Sequence, residues 1–167
     1  IPCYDFITIY SEGKTYFYNN TVVGNAYAPN GTANIRNGSL DLRNCIMVGN
    51  IYAGNYMNSV LNQLLDSHDN LYSSNFNQFT DKDKTIKDSD LHEILDGENK
   101  EGIFIPNLAY NGGFTPTVAL KSDKLSDGKS IRFPRLDDVL TDQRGVSRLP
   151  ETCMGAYELG CGSDTTF

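Results

Sequence analysis

Tyr16, Tyr18, Asp41 and Arg43 are the side chains best suited to meet a ligand, and they fall at matching places: Tyr16 lies 25 positions before Asp41, and Tyr18 lies 25 before Arg43. Tyrosine rings offer an apolar face and a polar tip, which suits a sugar ring. A carboxylate and a guanidinium beside them add charge-assisted hydrogen bonds. Asp66 continues the series another 25 positions on. If strands stack at these positions they lie ~4.8 Å apart, close to the ~5 Å that separates the two carboxyl groups of a retaining glycosidase. Asp41 and Asp66 are therefore a candidate acid pair. The plainer reading is two solvated acids flanked by Arg43 and His68. Tyr27 and Tyr52, with Tyr16 and Tyr18, suggest a sugar platform, against the plainer reading of aromatic stacking between layers. Arg36 is a further outward-facing group.

Other constellations are weaker. Asp81, Asp83, Asp88 and Asp90 supply the oxygen ligands that calcium prefers, but no twelve-residue loop pattern is present and lysines interleave. The expectation is no metal and no cofactor. Cys3, Cys45, Cys153 and Cys161 form no C-x₂-C pair, which argues against zinc. Cys45 reads as a buried free thiol, and Cys153 with Cys161 is a candidate local bridge. His68 and His92 have no Ser or Cys nucleophile arranged with them, so no hydrolytic triad is expected. Asp142-Gln143-Arg144-Gly145 reads as an Asp/Arg pair around a Gly turn, locking a closing loop by charge-assisted hydrogen bonds. The sequons at Asn19, Asn30 and Asn37 carry weight only in a eukaryotic secretory pathway.

The elements that would position these groups repeat. Residues 1–25, 26–50 and 51–75 superimpose: Asn19 meets Asn44, Tyr27-Ala28 meets Tyr52-Ala53, Asn30 meets Asn55, and Asp41 meets Asp66. Val23-Gly24-Asn25 recurs as Val48-Gly49-Asn50 and as Ser73-Ser74-Asn75. A fixed period in this range marks a stacked architecture. Alternation along the strands points Thr15, Phe17, Leu40 and Leu42 inward and Tyr16, Tyr18, Asp41 and Arg43 outward. Thr21-Val22-Val23 over Ile46-Met47-Val48 gives a second strand per layer. Asn25, Asn50 and Asn75 read as a corner ladder, because Asn tolerates tight corners. The expected fold is all-β: a right-handed parallel β-helix of about three coils over residues 1–75, an irregular charged insertion over 76–107, and a C-terminal cap over 108–167. Within the insertion, Asp90 to Leu95 suggests a helical turn capped by Asp90 and ended by Gly97. A leucine-rich repeat fits Leu40, Leu42 and Cys45 but lacks the upstream leucines and a recurring helix.

The net charge of −7 argues against nucleic acid, which needs a basic footprint, and against anionic lipid. No apolar run reaches membrane-spanning length. No polar terminal cap precedes the first strand, so the chain reads as the C-terminal part of a longer protein whose N-terminal remainder is a partner.

Leu108-Ala109-Tyr110-Asn111-Gly112-Gly113-Phe114-Thr115-Pro116-Thr117-Val118-Ala119-Leu120 resembles the LADNGGPTPTHAL segment of bacterial choice-of-anchor Q domain proteins. Thr141 to Arg148 is similar to their TDQRGxxR segment, and Met154-Gly155-Ala156-Tyr157-Glu158 to their terminal IGAYE. The family's SPAIDAG segment survives here only as Ser122 to Gly128, and Cys153 stands where an Asp is usual. The resemblance implies an exported bacterial surface protein, extracellular or cell-surface, with a right-handed β-helix; it implies no single reaction. The expected function is a non-catalytic, adhesive scaffold for a polysaccharide or host-surface glycan. A polysaccharide lyase or glycoside hydrolase with its active face on other coils, and a purely structural stalk, are the competing readings.

Overall fold

The computed structural model describes residues 7–10, 13–23, 33–36, 39–48, 64–73 and 82–160; for 7–10, 33–36, 39, 64–67 and 103 only the backbone is considered. The chain is predominantly β with one short α-helix, and no sheet closes into a barrel among the described residues. No described helix is long and apolar enough to cross a membrane.

Short β-branched and aromatic runs, separated by Asn and Asp, set the first elements. A first layer holds β1 (Ile7–Tyr10), β2 (Lys14–Tyr18) and β3 (Thr21–Val23). A second holds β4 (Ala33–Arg36), β5 (Ser39–Arg43) and β6 (Ile46–Val48). A third holds β7 (Leu64–His68) and β8 (Leu71–Ser73). Like strands pair in parallel between layers. β2, β5 and β7 form one sheet, in which Tyr16 pairs with Asp41 and Asp41 with Asp66, past a register shift after Leu40. β3, β6 and β8 form another, joined by β9 (Lys84–Ile86). β1 pairs with β4.

The corners explain the shared step. Asn19, Asn44 and Asp69 hold left-handed φ values of 51°, 54° and 60°, a conformation that Asn and Asp tolerate better than other side chains. The residue after each corner builds a column. The Asn20 N–H donates to Cys45 Sγ (3.4 Å), the Cys45 N–H to Asn70 Oδ1 (2.9 Å), and the Asn70 N–H to Asp83 Oδ1 (2.9 Å). The first two steps span 25 residues and the last only 13. Cys45 Sγ and Asn70 Nδ2 fill the same slot, each reaching a carbonyl 28 residues back. The expected ladder of Asn25, Asn50 and Asn75 lies outside the described residues, as do Tyr27 and Tyr52.

Leu40 and Leu42 are buried, as expected, and Thr15 and Phe17 are half-buried. The β3–β6–β8–β9 sheet is covered on both faces. Val22, Met47 and Tyr72 share one face by register. Ile46, Val48, Leu71 and Ile86 belong to a second cluster with Leu91, Ile94, Leu95, Phe104, Leu120, Leu125, Ile131 and Met154. Ile46 and Val48 thus face the C-terminal half. Each such side chain contributes about 1.5–3 kcal/mol on full burial.

Residues 82–107, expected to be irregular, carry regular structure. A 3-10 turn at Asp88–Asp90 leads into α1 (Leu91–Ile94), followed by the antiparallel pair β10 (Gly97–Lys100) and β11 (Ile103–Pro106). Apolar Leu91, Ile94 and Leu95 line one helical face and pull the charged stretch onto the core. Asp90 stands at the N-cap but makes no side-chain cap bond. Two more antiparallel pairs follow: β12 (Leu108–Ala109) with β13 (Thr117–Val118), and β14 (Arg132–Pro134) with β15 (Glu151–Cys153).

The segment after β15 returns to the first corners. Asn19 Nδ2 donates to the Cys153 carbonyl (3.3 Å), the Gly155 N–H to the Asn44 carbonyl (2.7 Å), and the Ala156 N–H to Thr21 Oγ1 (2.9 Å). Gly155 has φ +83°, and a Cβ there would come within 2.4 Å of Thr21 Oγ1 and 2.9 Å of Ile46 Cδ1. Only glycine fits that approach.

Candidate functional site

The parallel register of β2 and β5 brings the four residues singled out in the sequence into one cluster. Tyr18 donates its hydroxyl to Asp41 Oδ2 at 3.1 Å. Arg43 reaches Asp41 through Nε at 2.7 Å and Nη2 at 3.0 Å. The Tyr16 and Tyr18 rings meet edge-on with centroids 5.7 Å apart. The cluster also contains Lys14, which the sequence reading did not single out. Its ammonium lies 3.0 Å from Asp41 Oδ2 and 4.8 Å from the centre of the Tyr16 ring. The signal was available, since Lys14 precedes Tyr16 by two positions and so shares its strand face.

Asp41 was expected to be free to meet a partner; instead it is 0 % exposed. It points away from the leucines as alternation demands, but Lys14, Tyr18 and Arg43 close over it. Burial alone would raise its pKa; the bonds from Lys14, Arg43 and Tyr18 outweigh that and hold the carboxyl below its usual range. The Tyr18 phenol is pushed up to about 12, first by burial and then by its bond to the carboxylate. Tyr18 therefore stays a neutral donor, and Asp41 an ionised acceptor, near neutral pH.

These states decide what the cluster can do. A general acid needs a pKa near the working pH, and Asp41 is moved the opposite way. A carboxylate nucleophile needs access, which Asp41 lacks. Asp66 is in backbone register with Asp41, but its side chain lies outside the described residues, and the paired-carboxylate idea loses its first member in any case. What reaches solvent is the Tyr16 ring, 59 % exposed, with the partly exposed side chains of Lys14 and Arg43 beside it. Arg43 also lies 5.8 Å from the Tyr18 ring centre. Asp41 holds Lys14, Tyr18 and Arg43 in place beneath this surface.

The acids weighed for calcium are engaged apart from one another. Asp83 accepts from Asn70, Asp88 from the Ser73 hydroxyl at 2.7 Å, and Asp90 from the Ser89 hydroxyl at 2.7 Å. Asp81 lies outside the described residues, and no group of three metal ligands occurs among those described. His68 Nδ1 is 2.6 Å from Asp69 Oδ2, and His92 Nδ1 is 3.1 Å from Asn99 Nδ2.

Asp142 and Arg144 form a lock. Asp142 Oδ1 accepts from the N–H groups of Arg144 and Val146, and its Oδ2 accepts from Arg144 Nε and the Glu158 N–H. Arg144 also lies over the Tyr157 ring at 3.6 Å and donates to the Glu158 carbonyl at 2.7 Å. Deeper still, Glu158 is met by Arg132 (2.9 Å), Arg148 (3.2 Å) and the Thr152 hydroxyl. Arg148 further donates to the carbonyls of Thr141, Cys153 and Gly155. These groups are saturated by one another, so they hold the closing loop. Cys45 and Cys153 are free, buried thiols; Cys161, the other half of the candidate local bridge, lies outside the described residues. No protein-family model, curated protein or solved structure matches the chain.

Proposed function

We propose that the chain is a right-handed parallel β-helical scaffold that holds a polysaccharide or host-surface glycan against the outer face of β2 and β5. The observation that carries this reading is the exposed Tyr16 ring, fixed between Lys14 and Tyr18 on a parallel sheet. A sugar can stack on such a ring while its hydroxyls meet the flanking Lys14 and Arg43. The strand-to-strand step of 25 residues and the corner column support the β-helix. The resemblance to choice-of-anchor Q domain proteins supports a bacterial surface location. The site offers binding without turnover, since its carboxylate is buried and saturated.

A glycan array followed by titration of the best ligand tests this. Tyr16→Ala should weaken binding about tenfold, the effect of a ~1.4 kcal/mol contact, while Tyr16→Phe retains most of it. Failure to retain any glycan, or full affinity in Tyr16→Ala, removes the reading. An unsaturated or shortened product from a uronate polymer would instead favour a lyase or hydrolase.

A further inference from the structure

We infer that the rim made by β2, the Asn19-Asn20 corner and β3 is a docking edge for one additional strand–corner–strand segment of polypeptide, laid in parallel on the side away from β5 and β6. β1, β2 and β3 are each the outer strand of their sheets, and no described strand pairs with their far edges. The Asn19 N–H donates to the Arg43 carbonyl and the Ile46 N–H to the Asn20 carbonyl. In a parallel ladder, alternate residues face opposite ways. The N–H groups of Tyr16, Tyr18, Thr21 and Val23 therefore point to the rim.

Asn20 gives the rim an address. In each described step of the column, a corner N–H donates to the side chain that fills the slot in the next layer: Cys45 Sγ, Asn70 Oδ1, Asp83 Oδ1. Asn20 fills the same slot in the first layer. Its Nδ2 is fixed on the Tyr18 carbonyl at 2.9 Å, and no described donor reaches its Oδ1. An incoming segment with a corner N–H one step earlier would complete the column. The apolar side agrees. Leu40 and Leu42 are 5 % exposed, whereas their register partners Thr15 and Phe17 are only half-buried. Among the described residues, the same layer lacks both hydrogen-bond partners and full apolar cover on the same side, where a further layer would continue the interface already made between layers.

A second copy of the chain is a poor occupant. At the far end of the stack one sheet stops at β7 and the other at β9, after a step of 13 rather than 25 residues. Among the described residues, that end offers no matching strand–corner–strand edge, and each copy carries a net charge of −7.

The test is amide hydrogen exchange on the whole chain with and without the synthetic peptide KTYFYNNTVV, the chain's own residues 14–23. The amides of Tyr16, Tyr18, Thr21 and Val23 should exchange about tenfold slower with peptide. Val23→Pro, which removes one rim donor at an edge that tolerates proline, and Asn20→Ala should each abolish most of that slowing while glycan retention by the Tyr16 face is unchanged. No slowing at saturating peptide overturns the inference. So does slowing that follows protein concentration without peptide, because a second copy would then occupy the rim.

Discussion

Asp41 has no contact with solvent and accepts bonds from Lys14, Tyr18 and Arg43. Its pKa is lowered on folding, so its stabilisation is fully present above the unfolded value near 3.8 and is lost as pH falls through the lower folded value. Asp41→Asn should therefore cost about 1–3 kcal/mol near neutral pH, and the difference from the parent protein should shrink as urea unfolding is repeated toward pH ~3. A difference independent of pH would assign the loss to packing. The buried thiols give a second expectation. Burial pushes Cys45 up to about 12 and Cys153 up to about 11, so neither should react with an alkylating reagent in the folded protein at mildly alkaline pH. Both should react on unfolding, as mass spectrometry of labelled peptides would show. At this scale the sequence placed the four residues side by side but misjudged the exposure of Asp41. Alternation along a strand says which way Asp41 points, not that the long side chains of Lys14 and Arg43 will fold over it.

At the scale of elements, the corners do the organising. Asn44 holds φ 54°, so Asn44→Ala should cost about 1 kcal/mol and Asn44→Gly less, measured by urea unfolding. Gly155→Ala combines a left-handed backbone with overlap onto Thr21 and Ile46. It should cost more than ~3 kcal/mol and increase proteolysis after β15. The strands β2, β3, β5 and β6 and their register were legible, because β-branched and aromatic runs recur at one spacing. α1 was legible from Asp90 to Leu95. β9 was hidden: Lys84-Thr85-Ile86 breaks the spacing and acquires its strand partner from β8, a tertiary effect that no local pattern carries. Asp41 looked available for chemistry in the sequence because side-chain cover is invisible there.

Across the whole molecule, the stack meets the C-terminal half through one face of the sheet β3–β6–β8–β9, and buried apolar side chains line both of its faces. The charged lock around Glu158 holds the closing loop in that arrangement. Glu158→Gln would leave Arg148, 4 % exposed, without its charge partner, at a cost of about 3–5 kcal/mol. Thermal unfolding should remain a single transition at lower temperature, because neither half keeps a complete core alone; two separated transitions would show that the halves are independent. The Asp142 to Gly145 stretch could be read as a closing lock from its Asp, Arg and Gly, but the part played by Glu158 and the place of closure could not. That Cys153, Gly155 and Ala156 return to Asn19, Asn44 and Thr21 depends on contacts between residues more than ~110 positions apart.

That separation has a consequence for how the protein is made. Asn19 and Thr21 leave the ribosome well before the groups that finish their corner, Cys153 and Ala156, which are translated 134 and 135 residues later. Until the closing segment emerges, the cluster around Ile46, Val48 and Leu71 lacks Cys153 and Met154. Long-range closure of this kind is slow, and exposed strand edges during the wait favour association between nascent chains. Yield of soluble protein should therefore depend on how quickly residues 153–156 follow, and pausing translation just before them is the condition under which aggregation should peak.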